Sequence, residues 1–289
     1  MVDGETFYQF IPATAKSVVF EYNQFATGDR IPLSTPTSPV PIYGHLDGTV
    51  WHVTTTASTI NANPRCDKMF YNSSKLTYIQ FGSGFNTSNV KHMDAMFYGC
   101  SGLTSLDVSS FNISNVVSMS RAVDSVFYTN DPNGYPAARY NKYMLLGMFA
   151  GCSSLTSLDL SSFNTSQVTD MRGLFDGSKN LTSLNVSSFN TSNVTCMCRL
   201  FCNCTHLTFL DLSNFDMALT NHRSKKQDMY SSLSTSSGVC TIVCPESVQN
   251  SLLEHIQWID NEGEEDEEVV TYYITDIPID EVTFTWVRT

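Results

Sequence analysis

The sequence predicts an α/β solenoid with a parallel strand ladder, closed by a cap at each end. Three observations predict it. A unit of about 26 residues recurs along the chain, the first half of each unit alternates as a strand does, and the second half carries apolar residues at helical spacing.

The phenylalanines set the period. Phe149, Phe175 and Phe201 follow one another at 26 residues, Phe97 lies 52 residues before Phe149, and Phe70 lies 27 before Phe97. Leu155-Thr156-Ser157-Leu158-Asp159-Leu160-Ser161-Ser162-Phe163-Asn164-Thr165-Ser166 recurs as Leu181 to Ser192, and more weakly from Leu207 to Phe215. In the first unit Leu76, Ile79, Phe81 and Phe85 stand in for the leucines and the phenylalanine. Leu158 and Leu160 share one face of the strand half. After the polar corner Phe163 to Ser166 come Val168, Met171, Leu174, Phe175 and Ser178. Their offsets predict one buried face of a helix, with Thr165 or Ser166 as its cap. One unit cannot bury that face alone, whereas a stack of units joins the faces into a continuous core.

Five such units place the solenoid at 66–219. The ends of a stack expose apolar surface, so an N-terminal cap is expected over 1–65 and a strand-helix-strand cap over 220–289. Within the latter, 260–268 holds seven acids in nine residues and reads as a solvated loop. Asn221 to Lys226 is a short basic patch, expected to be solvated too. Segment 120–147 lacks the Leu-x-x-Leu-x-Leu strand and is either a surface insertion or a degenerate repeat.

Only 15% of residues are charged, so Ser, Thr and Asn must cover much of the surface. The net charge of −12 argues against nucleic acid and anionic lipid as partners. No run of apolar residues is long enough to span a membrane. Met1 to Glu5 has neither the basic nor the apolar region of a signal peptide. The expectation is therefore a fragment of a longer exported protein, or one that reaches its site by another route.

The nine cysteines are an odd number, which excludes a fully paired intramolecular disulfide set. Cys196, Cys198, Cys202 and Cys204 lie close together, but the register separates them. Cys204 aligns with Cys100, Cys152 and Ser178, a small core position. Cys196, Cys198 and Cys202 align with Asp170, Arg172 and Asp176 and are expected to face solvent as thiols rather than to hold a metal. Such thiols suggest a reducing compartment during synthesis. Cys240 and Cys244 flank an expected strand and are too far apart along it to pair.

Two outward columns of the strand ladder are the candidate partner surface. One holds Asp107, Asp159, Asn185 and Asp211; the other holds Tyr78, Ser105, Ser157, Ser183 and Phe209. Tyr135, Arg139, Tyr140 and Tyr143, with Tyr128, add a possible contact surface in the 120–147 segment. In the acidic column, bonding to neighbouring backbone is favoured over cation binding. Asn86-Thr87-Ser88 and its equivalents read as turn chemistry rather than as glycosylation sites. None of the six histidines sits in a nucleophile or metal motif. An enzyme, a cofactor and a metal are accordingly not expected.

Met148-Phe149-Ala150-Gly151-Cys152-Ser153-Ser154-Leu155 and the twelve residues from Leu155 to Ser166 resemble the BspA-like leucine-rich repeats, or bacterial surface protein 26-residue repeats. Ser17 to Phe20, Gly44 to Trp51 and Cys66 to Phe70 resemble the segment that leads into such an array; Thr241 to Pro245 and Glu246 to Ile256 resemble its closing unit. The resemblance implies a right-handed leucine-rich-repeat-like superhelix, found on bacterial cell surfaces or in host-associated phages and protists. Some members are adhesins for host matrix proteins or other bacteria. The expected function is a non-catalytic adhesion or protein-binding module at the cell surface. The alternative is a structural or receptor-binding protein of a phage virion, bound to other virion proteins.

Overall fold

The computed structural model describes residues 1–22, 30–123, 144–216, 241–244, 270–274 and 282–288. Its single helix among these residues, α1 (Gly4–Phe10), is capped by Asp3, whose carboxylate accepts the Thr6 amide at 2.9 Å. Phe7 of this helix is buried against Phe20, Trp51 and Phe70, with ring centroids 5.8, 5.0 and 5.8 Å away.

These aromatics lie on and beneath a mixed sheet. Its strands are β1 (Ser17–Tyr22), β2 (Ile31–Pro32), β3 (Ile42–Asp47) and β4 (Val50–Thr55), joined after β5 (Ile60–Asn61) by β6 (Tyr78–Phe81). The order is β2-β3-β4-β1-β6, with β1 parallel to both β4 and β6. Val18 and Phe20 alternate inward on β1 while Val19 and Glu21 face outward, which fixes its register. Because β6 belongs to the first repeat, this sheet splices the N-terminal segment onto the repeats. A second splice pairs β5 with β7 (Phe85–Asn86).

The repeat units lie side by side in register. Phe70, Phe97, Phe149, Phe175 and Phe201 stack nearly parallel, with successive centroids 5.4, 5.6, 5.8 and 5.7 Å apart. Leu76, Leu103, Leu155, Leu181 and Leu207 form a second buried column. β10 (Ser157–Asp159) pairs parallel with β11 (Ser183–Asn185).

The expected α/β leucine-rich-repeat superhelix is not what the chain forms. Among the described residues the strands fall into five small sheets, some mixed, of two to five strands each, and they do not merge into one parallel ladder. The expected helical side is a series of turns. Val168, Met171, Leu174, Phe175 and Ser178 are all buried, as their spacing predicts, but their amides alternate between two kinds of partner. Val168, Leu174 and Ser178 donate three residues back, to Thr165, Met171 and Phe175. Met171, Gly173, Phe175 and Gly177 donate to Cys196, Cys198, Leu200 and Cys202 of the next unit. Left-handed residues recur twice in four of the five units, as at Gly173 (φ +56°) and Gly177 (φ +76°) in one and at Arg199 (φ 58°) and Asn203 (φ 58°) in the next. A residue at positive φ every few positions is incompatible with a right-handed helix. Thr165 caps no helix.

At 120–147 the chain departs through β8 (Ser120–Val123) and returns through β9 (Met144–Gly147), which pair antiparallel. Phe97 stacks directly on Phe149, so nothing is interposed between these two units in the phenylalanine column. The last described sheet has the order β12-β13-β15-β14, from β12 (Phe209–Asp211), β13 (Thr241–Cys244), β14 (Val270–Ile274) and β15 (Val282–Arg288). The acidic run 260–268, the basic patch 221–226, the expected helix 246–256 and Cys240 lie outside the described residues.

Candidate functional site

The strand halves place the two predicted columns at the surface. Tyr78, Ser105, Ser157, Ser183 and Phe209 are exposed, Tyr78 at 46% and Phe209 at 51%. Asp107, Asp159 and Asn185 are exposed and Asp211 is half-buried. Each of these four accepts the amide of the serine two residues on: Ser109, Ser161, Ser187 and Ser213, at 2.9, 3.0, 3.2 and 3.0 Å. Hydrogen bonds from Ser109 and Ser161 hold the Asp107 and Asp159 carboxyls below their ordinary range. The column thus serves its own turns. Tyr128, Tyr135, Arg139, Tyr140 and Tyr143 lie outside the described residues.

A second feature was read only in part from the sequence, where Cys196 and Cys198 align with Asp170 and Arg172. Met93, Met119, Met171 and Met197 are fully buried at one position of the unit, where the first unit has Cys66. The residues flanking them form a polar row. Arg65, His92, Ser118, Asp170 and Cys196 are bridged one to the next along the backbone. Asp67, Asp94, Ser120, Arg172 and Cys198 follow two residues later. The pattern polar-Met-polar around Met93, Met119, Met171 and Met197 was the available signal. It was hidden because the helical reading gives a residue and the one two positions on different faces.

At one end of the row, Asp67, His92 and Asp94 bring one potential ligand atom each to within 4.8 Å of one another. Two carboxylates and an imidazole suit a divalent cation. Other partners already occupy the two carboxylates. Arg65 pairs with Asp67 at 2.7 Å, the Asp94 amide donates to Asp67, and the Ser118 hydroxyl donates to Asp94. Burial raises the Asp94 carboxyl, against the Ser118 bond and with a further push from Asp67. At the other end, Cys196 and Cys198 are half-buried with sulfurs 3.4 Å apart. Arg172 pairs with Asp170 beside them through its Nε at 3.0 and 2.9 Å.

Residues 59–134 and 143–237 match the family described as "Mycoplasma protein of unknown function, DUF285", more than half of the chain. The chain belongs to this family. Neither curated proteins nor solved structures show a match. The family's two matched segments take in all five units and are interrupted at 135–142, within the 120–147 segment expected as an insertion or a degenerate repeat.

The aligned core column also has a physical role. Cys100, Cys152, Ser178 and Cys204 are fully buried and donate to Phe70, Phe97, Phe149 and Phe175 carbonyls at 3.0, 3.2, 2.8 and 3.2 Å. Thiol and hydroxyl interchange there because each supplies one short donor. Burial pushes the Cys152 thiol up to about 12, and Cys66 likewise, so neither is a nucleophile at neutral pH. Cys202 departs from expectation: it is 3% exposed rather than solvent-facing.

Proposed function

We propose that this chain is a non-catalytic protein-recognition module acting at a bacterial cell surface, with repeats of the bacterial surface protein 26-residue type. The observation that carries this reading is the outward strand face. It is small and polar over Ser105, Ser157 and Ser183, and it ends in two large exposed aromatics, Tyr78 and Phe209. Aromatic side chains are the commonest energetic anchors of protein interfaces. The neighbouring Asp107, Asp159 and Asn185 are already held by their own serine amides, so binding has little side-chain freedom left to freeze.

The test is binding of the whole chain to immobilised host matrix proteins and bacterial surface proteins. Specific binding is expected, weakened about tenfold or more by Phe209→Ser or Tyr78→Ser, as for an anchor residue. Absence of binding to every partner by a folded chain, or binding indifferent to both substitutions, overturns the reading.

A further inference from the structure

We propose that Cys196 and Cys198 are a peroxide-reactive thiol pair that closes reversibly to a disulfide. The geometry begins with Met197, whose fully buried side chain pins the backbone between them. The two flanking side chains are thereby turned to the same outer side, and their sulfurs meet at 3.4 Å. Both are half-buried and lie on the polar row, unlike the fully buried thiols Cys100, Cys152 and Cys204. The neighbouring unit contributes Arg172, whose guanidinium is held by Asp170 and lies near both sulfurs.

The pair divides its roles. Either sulfur can donate to the other; with Cys198 as the donor, the hydrogen bond draws the Cys196 thiol down to about 7 against the effect of burial, with a smaller pull from Arg172. Cys198 is shifted the other way, chiefly because it keeps the shared proton. Cys196 is therefore the nucleophile and Cys198 the resolving thiol, the arrangement that favours selective oxidation.

The oxidant is a hydroperoxide. The Cys196 thiolate attacks one oxygen of the O–O bond; a sulfur–oxygen bond forms, the O–O bond breaks, and the departing oxygen takes a proton as water or alcohol. The Cys198 sulfur then attacks the sulfenic sulfur. The S–S bond forms, the S–O bond breaks, and hydroxide leaves with the Cys198 proton as water. With hydrogen peroxide, two thiols and one peroxide yield one disulfide and two waters. A bridge between residues two apart closes a small ring, which dithiothreitol reopens by thiol–disulfide exchange.

The test treats the whole chain with equimolar hydrogen peroxide at pH 7, then alkylates it and maps the peptides by mass. The expected product is a disulfide within the peptide holding both cysteines, undone by dithiothreitol. It should form roughly fivefold faster than oxidation of an unperturbed cysteine peptide, the thiolate gain outweighing the lower nucleophilicity. Cys198→Ser should halt at a sulfenic acid on Cys196 that dimedone traps. Cys196→Ser should abolish the fast phase. Circular dichroism of both variants checks that the fold is intact. The proposal is overturned if both thiols of the folded wild-type chain remain alkylatable after peroxide, or if Cys196 passes to sulfinic acid with no disulfide.

Discussion

At the scale of single residues, the units are clamped together by buried threonines. The Thr165 hydroxyl donates to the Asn190 carbonyl at 2.9 Å and accepts the Asn190 amide at 2.8 Å. Thr87 does the same to Asn112, at 3.0 and 2.8 Å. Replacing Thr165 by Val keeps the shape and strands two backbone groups, so urea unfolding should show a loss of about 1–3 kcal/mol. The polar corner was legible in the sequence as turn chemistry: the Asn86, Asn164 and Asn190 side chains each accept the amide two residues on. What Thr165 bonds was not legible, because its partner lies a whole unit away. Cys196 offers a second prediction. Its thiolate forms as pH rises through about 7, so iodoacetamide labelling of the folded chain should rise with a midpoint near that value rather than near the ordinary 9.0. Arg172→Ala, which removes a nearby positive charge, should move the midpoint upward. An unmoved midpoint would deny Arg172 any part in stabilising the thiolate.

At the scale of elements, burial and backbone conformation came apart. The spacing of Val168, Met171, Leu174, Phe175 and Ser178 named the right buried residues and the wrong conformation. A turn that closes every three residues, with left-handed residues between, returns side chains inward at intervals that overlap those of a helix. The glycines were the clue left unread. Gly177 sits at φ +76° with nothing crowding the place a side chain would take, so Gly177→Ala should cost about 1 kcal/mol from backbone strain alone, measurable by thermal melting. Gly147 is held for a different reason: a side chain there would collide with the Gly173 carbonyl. Phe175 stands between two stacked rings in the phenylalanine column. Phe175→Ala should cost about 3–5 kcal/mol, and Phe175→Leu less, in chemical denaturation.

At the scale of the whole molecule, sheets of different kinds share one continuous core. The apolar cluster runs from Phe7 and Trp51 through the phenylalanine and leucine columns to Ile242. β8 and β9 bring Val123 and Met144 into direct antiparallel register at the root of the long segment. A two-residue Asn-Gly turn joining these residues in place of 124–143 should therefore leave one cooperative thermal transition, because such a turn suits adjacent antiparallel strands. A broadened or lost transition would assign the segment a share of the core. By itself the sequence determined the period, the columns of buried leucine and phenylalanine, the interchangeable Cys/Ser position and the outward strand residues. Each of these follows from one unit repeating in step with its neighbours. Only the tertiary structure decided that the second half of each unit is turns, that the strands form small separate sheets, and that polar residues beside the buried methionines line up in a row. The physical reason is that backbone amides and side chains there find their partners in the adjacent unit, and a pattern read along one chain segment does not specify what lies across from it.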